Sequence, residues 1–356
     1  MRRLLWTTLF LMPLAFAGGC RVEKLDTGPS WSVNVKFPLG DTAESFYNIA
    51  RFVAGGDSSK IIRQGDEVYW KEVGREDRDT LITPDSAITV VYVDFNKPGA
   101  IKRGAQGIIL RDVYAVVRLY IDTVKADVDL KLKAIVLFKE SGTSDTIEIT
   151  GLTIPANSRY FEYTIRDLYI RAESTVVYAK AYGYSSYTGE VMLLDSSVLE
   201  VYAPMHLEAH DTLVVENLMD VGLNDSVSMG DASVVSATVH LFSRRSIPMV
   251  FLVDAWLKDT VTNVDSMFVA SIVLRDPPKD PSGYSTGFVY DTIVLSIDTA
   301  GVRFINEHAG QVRLKISGYL PGNPVDPYRA YIKAEDSLGI WGYVETLYDI
   351  NRGGGQ

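Results

Sequence analysis

The amino-acid sequence predicts an all-β protein: two antiparallel β-sandwich domains in tandem, after a small N-terminal strand-plus-helix region. Three observations carry this expectation. Tyr is abundant, at 20 of 356 residues, and Val, Ile and Thr recur throughout, side chains that fit a pleated, half-buried surface. Strand-length segments succeed one another at intervals of roughly 10 to 15 residues, separated by turn residues and without strand–helix alternation. Short segments also recur in the same order in the two halves of the chain.

The elements follow from local pattern. Trp31, Val33, Val35 and Phe37 alternate with polar neighbours, a period-two strand closed by Pro38. Asp41 and Glu44 have capping-box spacing, and Phe46, Ile49 and Val53 continue at helical intervals. A helix is therefore expected over 41–53, ended by Gly55-Gly56. Strands are expected next at 66–73 and 87–95, then at 108–121, 127–138, 145–154, 160–166, 175–184 and 190–202. A second series reads 211–217, 232–243, 249–259, 265–274, 288–297, 311–319 and 328–346. Its last member is interrupted at Gly339, and a helix stands at 299–308. Turn signals such as Ser141-Gly142, Pro155-Ala156-Asn157, Pro277-Pro278 and Pro321-Gly322-Asn323-Pro324 separate the runs.

Three segment pairs make up the repeat. Ala115–Tyr120 is similar to Ala237–Phe242, Asp145–Ile149 to Asp291–Leu295, and Val177–Tyr184 to Val312–Tyr319. The offsets (237 − 115 = 122, 291 − 145 = 146, 312 − 177 = 135) differ, so loop lengths must differ between copies. The resulting division is 1–19 as signal peptide, 20–30 as tether and 31–107 as an N-terminal region. Residues 108–205 and 206–350 are the two sandwiches, and 351–356 a flexible tail.

Composition bounds the function. A hydrophobic fraction of 47% supplies real cores. Net charge is −10, and −12 without Arg2 and Arg3, with no basic cluster, which excludes nucleic acid as an expected partner. After the N-terminus no apolar run reaches the length of a membrane-crossing helix.

The N-terminus is distinctive. Arg2 and Arg3 precede a nearly continuous apolar stretch, Leu4 to Phe16, followed by the small residues Ala17-Gly18-Gly19 and then Cys20, the only cysteine in the chain. This Ala-Gly-Gly-Cys ending resembles the lipobox of bacterial lipoproteins, with Ala17 where that family prefers Leu. The resemblance implies cleavage before Cys20, a diacylglyceryl group on its sulfur and acylation of the new amine. Each buried methylene would contribute about 0.8 kcal/mol, so two or three chains hold essentially permanently. Lipidation would also account for a lone cysteine in an exported protein. Arg21 stands where Asp signals inner-membrane retention in the enteric members, so the resemblance implies the outer membrane or cell surface, otherwise the periplasmic face.

Candidate chemistry is sparse. His206, Glu208 and His210 are the one local cluster of metal-type ligands, and on a strand they would point to one side. A polar edge without metal is the expected outcome. Asp220, Gly222, Asn224 and Asp225 are similar to the opening of a calcium loop, but Asp225 replaces the sixth-position glycine and Asp231 the bidentate glutamate. No nucleophile elbow, phosphate-cradling loop or defined carboxylate pair is present, so no catalytic residue and no cofactor is expected. Tyr178, Tyr182 and Tyr184 share one strand face, while Tyr69 with Trp70 and Trp341 with Tyr343 lie near expected turns. These are candidates either for a binding platform or for packing.

The expected function is a non-catalytic, lipid-anchored envelope or surface protein with a structural or binding role. The membrane is met through Cys20, and an envelope protein or glycan is the open choice of partner. A carrier or assembly factor for an apolar ligand such as lipid is the alternative, followed by a surface enzyme acting on glycan or protein. Leu130, Leu132, Val136, Phe251, Val253 and Trp256 are bulky and favour filled sandwiches over a ligand cavity.

Overall fold

The computed structural model describes residues 31–350 except 78–79, 83–86, 96–107, 172–174, 185–191, 223–232, 260–261, 263 and 309–310. Cys20, the expected signal peptide and tether, and the expected tail at 351–356 lie outside the described residues. The chain opens with β1 (Trp31–Ser45), α1 (Phe46–Ala54) and a 3-10 turn (Gly55–Lys60). Then follow β2 (Ile61–Gln64), β3 (Glu67–Glu76), β4 (Thr80–Ile82), β5 (Ala87–Phe95), β6 (Ile108–Val124) and β7 (Val128–Phe138). Next come β8 (Ser144–Ile154), β9 (Tyr160–Arg171), β10 (Thr175–Tyr184), β11 (Met192–Pro204), β12 (His206–Ala209) and β13 (Leu213–Gly222). The chain continues with β14 (Ser233–Arg245), β15 (Val250–Asp259), β16 (Val264–Leu274), β17 (Val289–Ile297) and α2 (Thr299–His308). It closes with β18 (Gln311–Leu320), β19 (Tyr328–Tyr331) and β20 (Ser337–Ile350). The protein is all-β, and every strand pairing in its sheets is antiparallel.

Two sandwiches form. In the first, β3-β11-β6-β9 packs on β5-β10-β7-β8, and inward side chains of both sheets make one core. In the second, β1-β20-β14-β17 packs on β13-β18-β15-β16 around another. Leu119, Leu130, Leu132, Phe138, Ile165, Leu199 and Phe251 are fully buried, each contributing roughly 1.5–3 kcal/mol through loss of apolar area to water.

The N-terminal region expected over 31–107 is divided between these cores. β1 pairs along its length with β20, from Trp31 opposite Ile350 to Ser45 opposite Ser337, and Val35 packs on the second core. β3 and β5 instead join the first sandwich. The first sandwich is thus inserted in sequence between β1 and the remainder of the second. Local alternation forms β1, but its partner is chosen by the open edge of β20.

The repeat is present in topology and in register. Strands β3, β11, β6 and β9 occupy the places of β1, β20, β14 and β17, and β5, β10, β7 and β8 those of β13, β18, β15 and β16. Ala115, Val117 and Leu119 face Val201, Leu199 and Ser197. Ala237, Val239 and Leu241 face Thr346, Val344 and Gly342 in the same way. Two of the three sequence matches therefore fall on equivalent strands. The third does not: Asp291–Leu295 lies in β17, whose counterpart is β9, whereas Asp145–Ile149 lies in β8. Both β8 and β17 are sheet edges with alternating half-exposed positions, and that shared environment selects similar residues.

Two boundaries shift. The first helix begins at Phe46 rather than 41, because pairing with β20 keeps the chain extended to Ser45. Ser45 then caps it, its Oγ accepting from the Asn48 amide at 3.3 Å, and Glu44 accepts from Asn48 Nδ2 at 3.0 Å. The interruption expected at Gly339 falls instead at 332–336, where a turn closes through the Lys333 amide donating to Asp336 Oδ2 at 2.8 Å. The helix expected at 299–308 forms, with Asp298 Oδ1 accepting from the Gly301 amide at 2.8 Å.

Candidate functional site

The cluster singled out in the sequence sits where the sandwiches join. Helix α1 sends Ile49 into the second core, while Phe46, Tyr47, Ala50 and Ala54 pack on Ile61, Val68 and Ala334. β12 continues beyond β11 along β6 and pairs on its other side with β19, so one sheet runs from the first sandwich into the second.

His206 is buried at this seam. Its Nδ1 lies 2.7 Å from Asp112 Oδ2, and its Nε2 lies 3.2 Å from Glu67 Oε1 and 3.1 Å from the Tyr284 hydroxyl. Its ring stacks on Tyr331 at 4.2 Å. Asp112 holds a left-handed backbone, φ 57°, at a β6 bulge, a conformation that Asp tolerates better than most residues. Burial would raise the Glu67 carboxyl, but hydrogen bonds from Tyr69, Tyr284 and His206 outweigh it and hold the group below its ordinary range. Burial pushes the Tyr284 phenol up, and its bond to Glu67 pushes it further.

Glu208 lies beside it on the same strand face. It accepts from Arg111 Nη2 at 2.7 Å, from Arg329 Nε at 3.3 Å and pairs with His210 Nε2 at 2.8 Å. These donors overcome burial and keep it anionic. The structure therefore brings His206, Glu208 and His210 together, as strand parity predicts, but spends them in two separate networks. Among the described residues no group of three or more His, Cys, Asp or Glu is placed to hold a metal ion. The arrangement ties β3, β6, β12 and β19 together. Of the calcium-like segment, Asp220 and Gly222 lie in β13, opposite Lys315 and Arg313; Asn224, Asp225 and Asp231 lie outside the described residues.

The aromatic candidates separate by face. Tyr178, Tyr182 and Tyr184 do share the outer face of β10, where Tyr178 meets Tyr92 at 6.1 Å. Tyr69 and Trp70 lie within β3, just after the turn at Gly65-Asp66. The Tyr69 hydroxyl bonds Glu67 at 2.5 Å and its ring meets Tyr114 edge-on at 6.0 Å. Trp70 turns the other way, half-buried against the cores.

Trp341 and Tyr343 also lie within a strand, β20, and there they join residues of β14. Tyr343 stacks on His240 with centroids 4.5 Å apart, and Phe242 lies 6.3 Å from Tyr343 and 6.2 Å from Trp341. At the rim are Tyr290, 66% exposed, Val294 and Phe288. Glu345 continues the row, accepting from Asn34 Nδ2 at 2.5 Å and lying 3.5 Å from His240 Nε2 and 4.0 Å from Lys36 Nζ. The hydrogen bond from Asn34, with the charges of Lys36 and His240, holds its carboxyl below the ordinary range. Gly342 makes the row possible: a Cβ there would come within 2.0 Å of the His240 carbonyl oxygen, so only glycine lets β20 approach β14 this closely. His240 and Phe242 are absent from the sequence-level platform candidates. The signal was there in Thr238, His240 and Phe242 alternating with Val239 and Leu241.

An open cleft of about 860 Å³ lies elsewhere on the second sandwich, lined by Arg275, Asp276, Lys279, Asp291, Tyr328 and several prolines. Within it Asp276 accepts from Tyr328 at 2.6 Å and from Lys279 at 3.0 Å.

No protein-family model and no curated protein matches the chain. Among solved structures, a protein of Parabacteroides distasonis ATCC 8503 described as secreted is similar at 10% identity. The match covers 88% of this chain and 99% of that one, with a TM-score of 0.47. The tandem CBM22 domains of Paenibacillus barcinonensis Xyn10C are similar at 8% identity over 86% and 97%, with a TM-score of 0.25. At such identities and scores no residue role passes from one chain to another.

Proposed function

We propose that the chain is an exported, lipid-anchored, non-catalytic envelope protein whose fused sandwiches present a binding face. The observation that carries this reading is the outer face of the β1-β20-β14-β17 sheet, where Trp341, Phe242, Tyr343 and His240 form one row with Glu345 at its end. The four rings are half-buried, and the exposed Tyr290 and Phe288 extend them at the rim; aromatic surface bordered by polar groups is what a binding surface requires. The seam at His206 and Glu208 supports the reading from the other side, because it commits polar groups to joining the sandwiches. The filled cores disfavour a lipid carrier, which needs an apolar cavity of several hundred Å³ by order of magnitude.

Anchoring rests on Cys20. Replacing Cys20→Ser should abolish lipid labelling and release the protein from the membrane fraction; a variant that stays in the detergent phase would refute the anchor. Binding is tested by sedimenting the solubilised protein with isolated bacterial envelopes. Trp341→Ala and Tyr343→Ala should reduce co-sedimentation, and undiminished binding would remove the face from the reading. Mass spectrometry of an organic extract of the de-acylated protein should find no stoichiometric lipid, and a one-to-one lipid would put the carrier reading first.

A further inference from the structure

We propose that this face takes an uncharged glycan chain, with Trp341 and Phe242 stacking on sugar rings, Tyr343 and His240 lining their edges, and Glu345 and Asn34 bonding hydroxyls. The inference deepens the binding reading and rests on it. A sugar ring offers C–H groups on its faces and hydroxyls around its edge. It is matched by flat aromatic surface interleaved with hydrogen-bonding side chains. The sheet supplies both in register. Tyr343, His240 and Val294 form one cross-strand row, with Lys36, Glu345, Thr238 and Ser296 on one side of it. Trp341, Phe242 and Thr292 lie on the other side. Tyr290, 66% exposed at the rim, adds a solvent-facing phenol.

Other partner classes fit less well. A membrane-docking face needs a belt of cations beside its apolar groups. Here Lys36 lies over the Tyr343 ring at 4.8 Å and beside Glu345, and Arg244 lies over Phe288 at 3.9 Å. A protein partner is gripped by anchors in a desolvated central pocket, whereas this row lies along a sheet face with polar residues in each flank. Nucleic acid requires concentrated positive charge. Glu345 is offset by Lys36 at 4.0 Å and by His240 at 3.5 Å, so the row concentrates charge of neither sign, which favours an uncharged polysaccharide.

The test is affinity electrophoresis of the detergent-solubilised, full lipid-bearing protein in native gels containing hydroxyethylcellulose, arabinoxylan, glucomannan or laminarin, with polygalacturonate as the anionic control. Retardation by at least one uncharged polymer is expected. Trp341→Ala and Tyr343→Ala should weaken it about ten-fold or more, Tyr343→Phe should retain most of it, and Tyr92→Ala, on the first sandwich, should leave it unchanged. Thermal melting of each variant separates lost binding from lost folding. Retardation by none of the uncharged polymers, equal retardation of the Trp341→Ala protein, or preference for polygalacturonate overturns the inference. If Trp341→Ala still reduces envelope co-sedimentation while wild type ignores every polysaccharide, the glycan is wrong and the binding reading stands, with a protein as partner. If the envelope assay is also insensitive, both fall.

Discussion

Glu200 and Glu345 stand at the same register position of two matching sheets, the first opposite Val116 and Val73, the second opposite Thr238 and Lys36. Around Glu200 lie Lys71 at 2.7 Å and Arg118 at 2.5 Å, and only 12% of its side chain is exposed. Asn34 and His240 hold the corresponding places around Glu345, which is 30% exposed. Along the same strand, Ser196 and Val198 of β11 correspond to Trp341 and Tyr343 of β20. One glutamate is therefore closed in by two cations, and the other is flanked by an amide and a histidine. Both outer faces carry aromatic side chains, Tyr120 and Tyr160 on the first and Trp341 and Tyr343 on the second. The backbone scaffold is common to both, so the difference lies in a handful of outward side chains. Duplicated sheets can diverge this way because outward positions are free of the packing that fixes inward ones.

That comparison can be broken most forcefully in the cores. Leu119 and Leu241 are matched and buried, and changing either to Ala should cost about 2–5 kcal/mol. Because β1 closes the second sandwich before the first begins, and β12 with β19 extends the shared sheet, both variants should lower one common melting transition in calorimetry. Two transitions, each sensitive to one variant, would show that the copies fold independently.

A smaller loss tests an asymmetry. Arg245 is fully buried, bonded to Asp291, to the Arg275 carbonyl and to Ser243, whereas Thr123, at the corresponding end of β6, is exposed and the inward residue there is Val124. Asp291→Asn strands a buried cation and should cost about 3 kcal/mol; Thr123→Ala should be nearly neutral. Equal effects measured by urea unfolding would remove the asymmetry.

Acid separates the two glutamates. Burial alone would raise the Glu200 carboxyl, but bonds from Lys71, Arg118 and Tyr202 draw it from 4.5 down to about 2. A folded pKa below the unfolded one contributes stability above the unfolded value, lost as pH falls from about 4.5 towards 2. Glu200→Gln should cost about 1.5–3 kcal/mol near neutral pH and flatten that part of the stability–pH curve. Glu345→Gln should change it less, and an identical flattening by both would contradict the distinction between the two glutamates.

The smallest effect sharpens the comparison. Thr346 is fully buried with its Oγ1 unpaired among the described residues, where the first sandwich has Val201. Thr346→Val should stabilise by about 1 kcal/mol; a destabilised variant would mean the hydroxyl has a partner.

The sequence by itself determined the β class, most strand positions, the parity of Tyr178, Tyr182 and Tyr184, and the two true segment matches. These depend on period-two alternation, which each strand carries within its own residues. Parity also placed His206 and Glu208 on one face, and left open whether they would meet a metal or one another's neighbours. Only the tertiary structure decided that β1 belongs with β20, that Asp145–Ile149 and Asp291–Leu295 are not counterparts, and that Trp341 and Tyr343 meet His240 and Phe242 on one outer sheet face. Those outcomes depend on which distant edge accepts a strand and at what register. Many alternating strands would satisfy any one edge locally, and the choice among them is made by burying both cores at once.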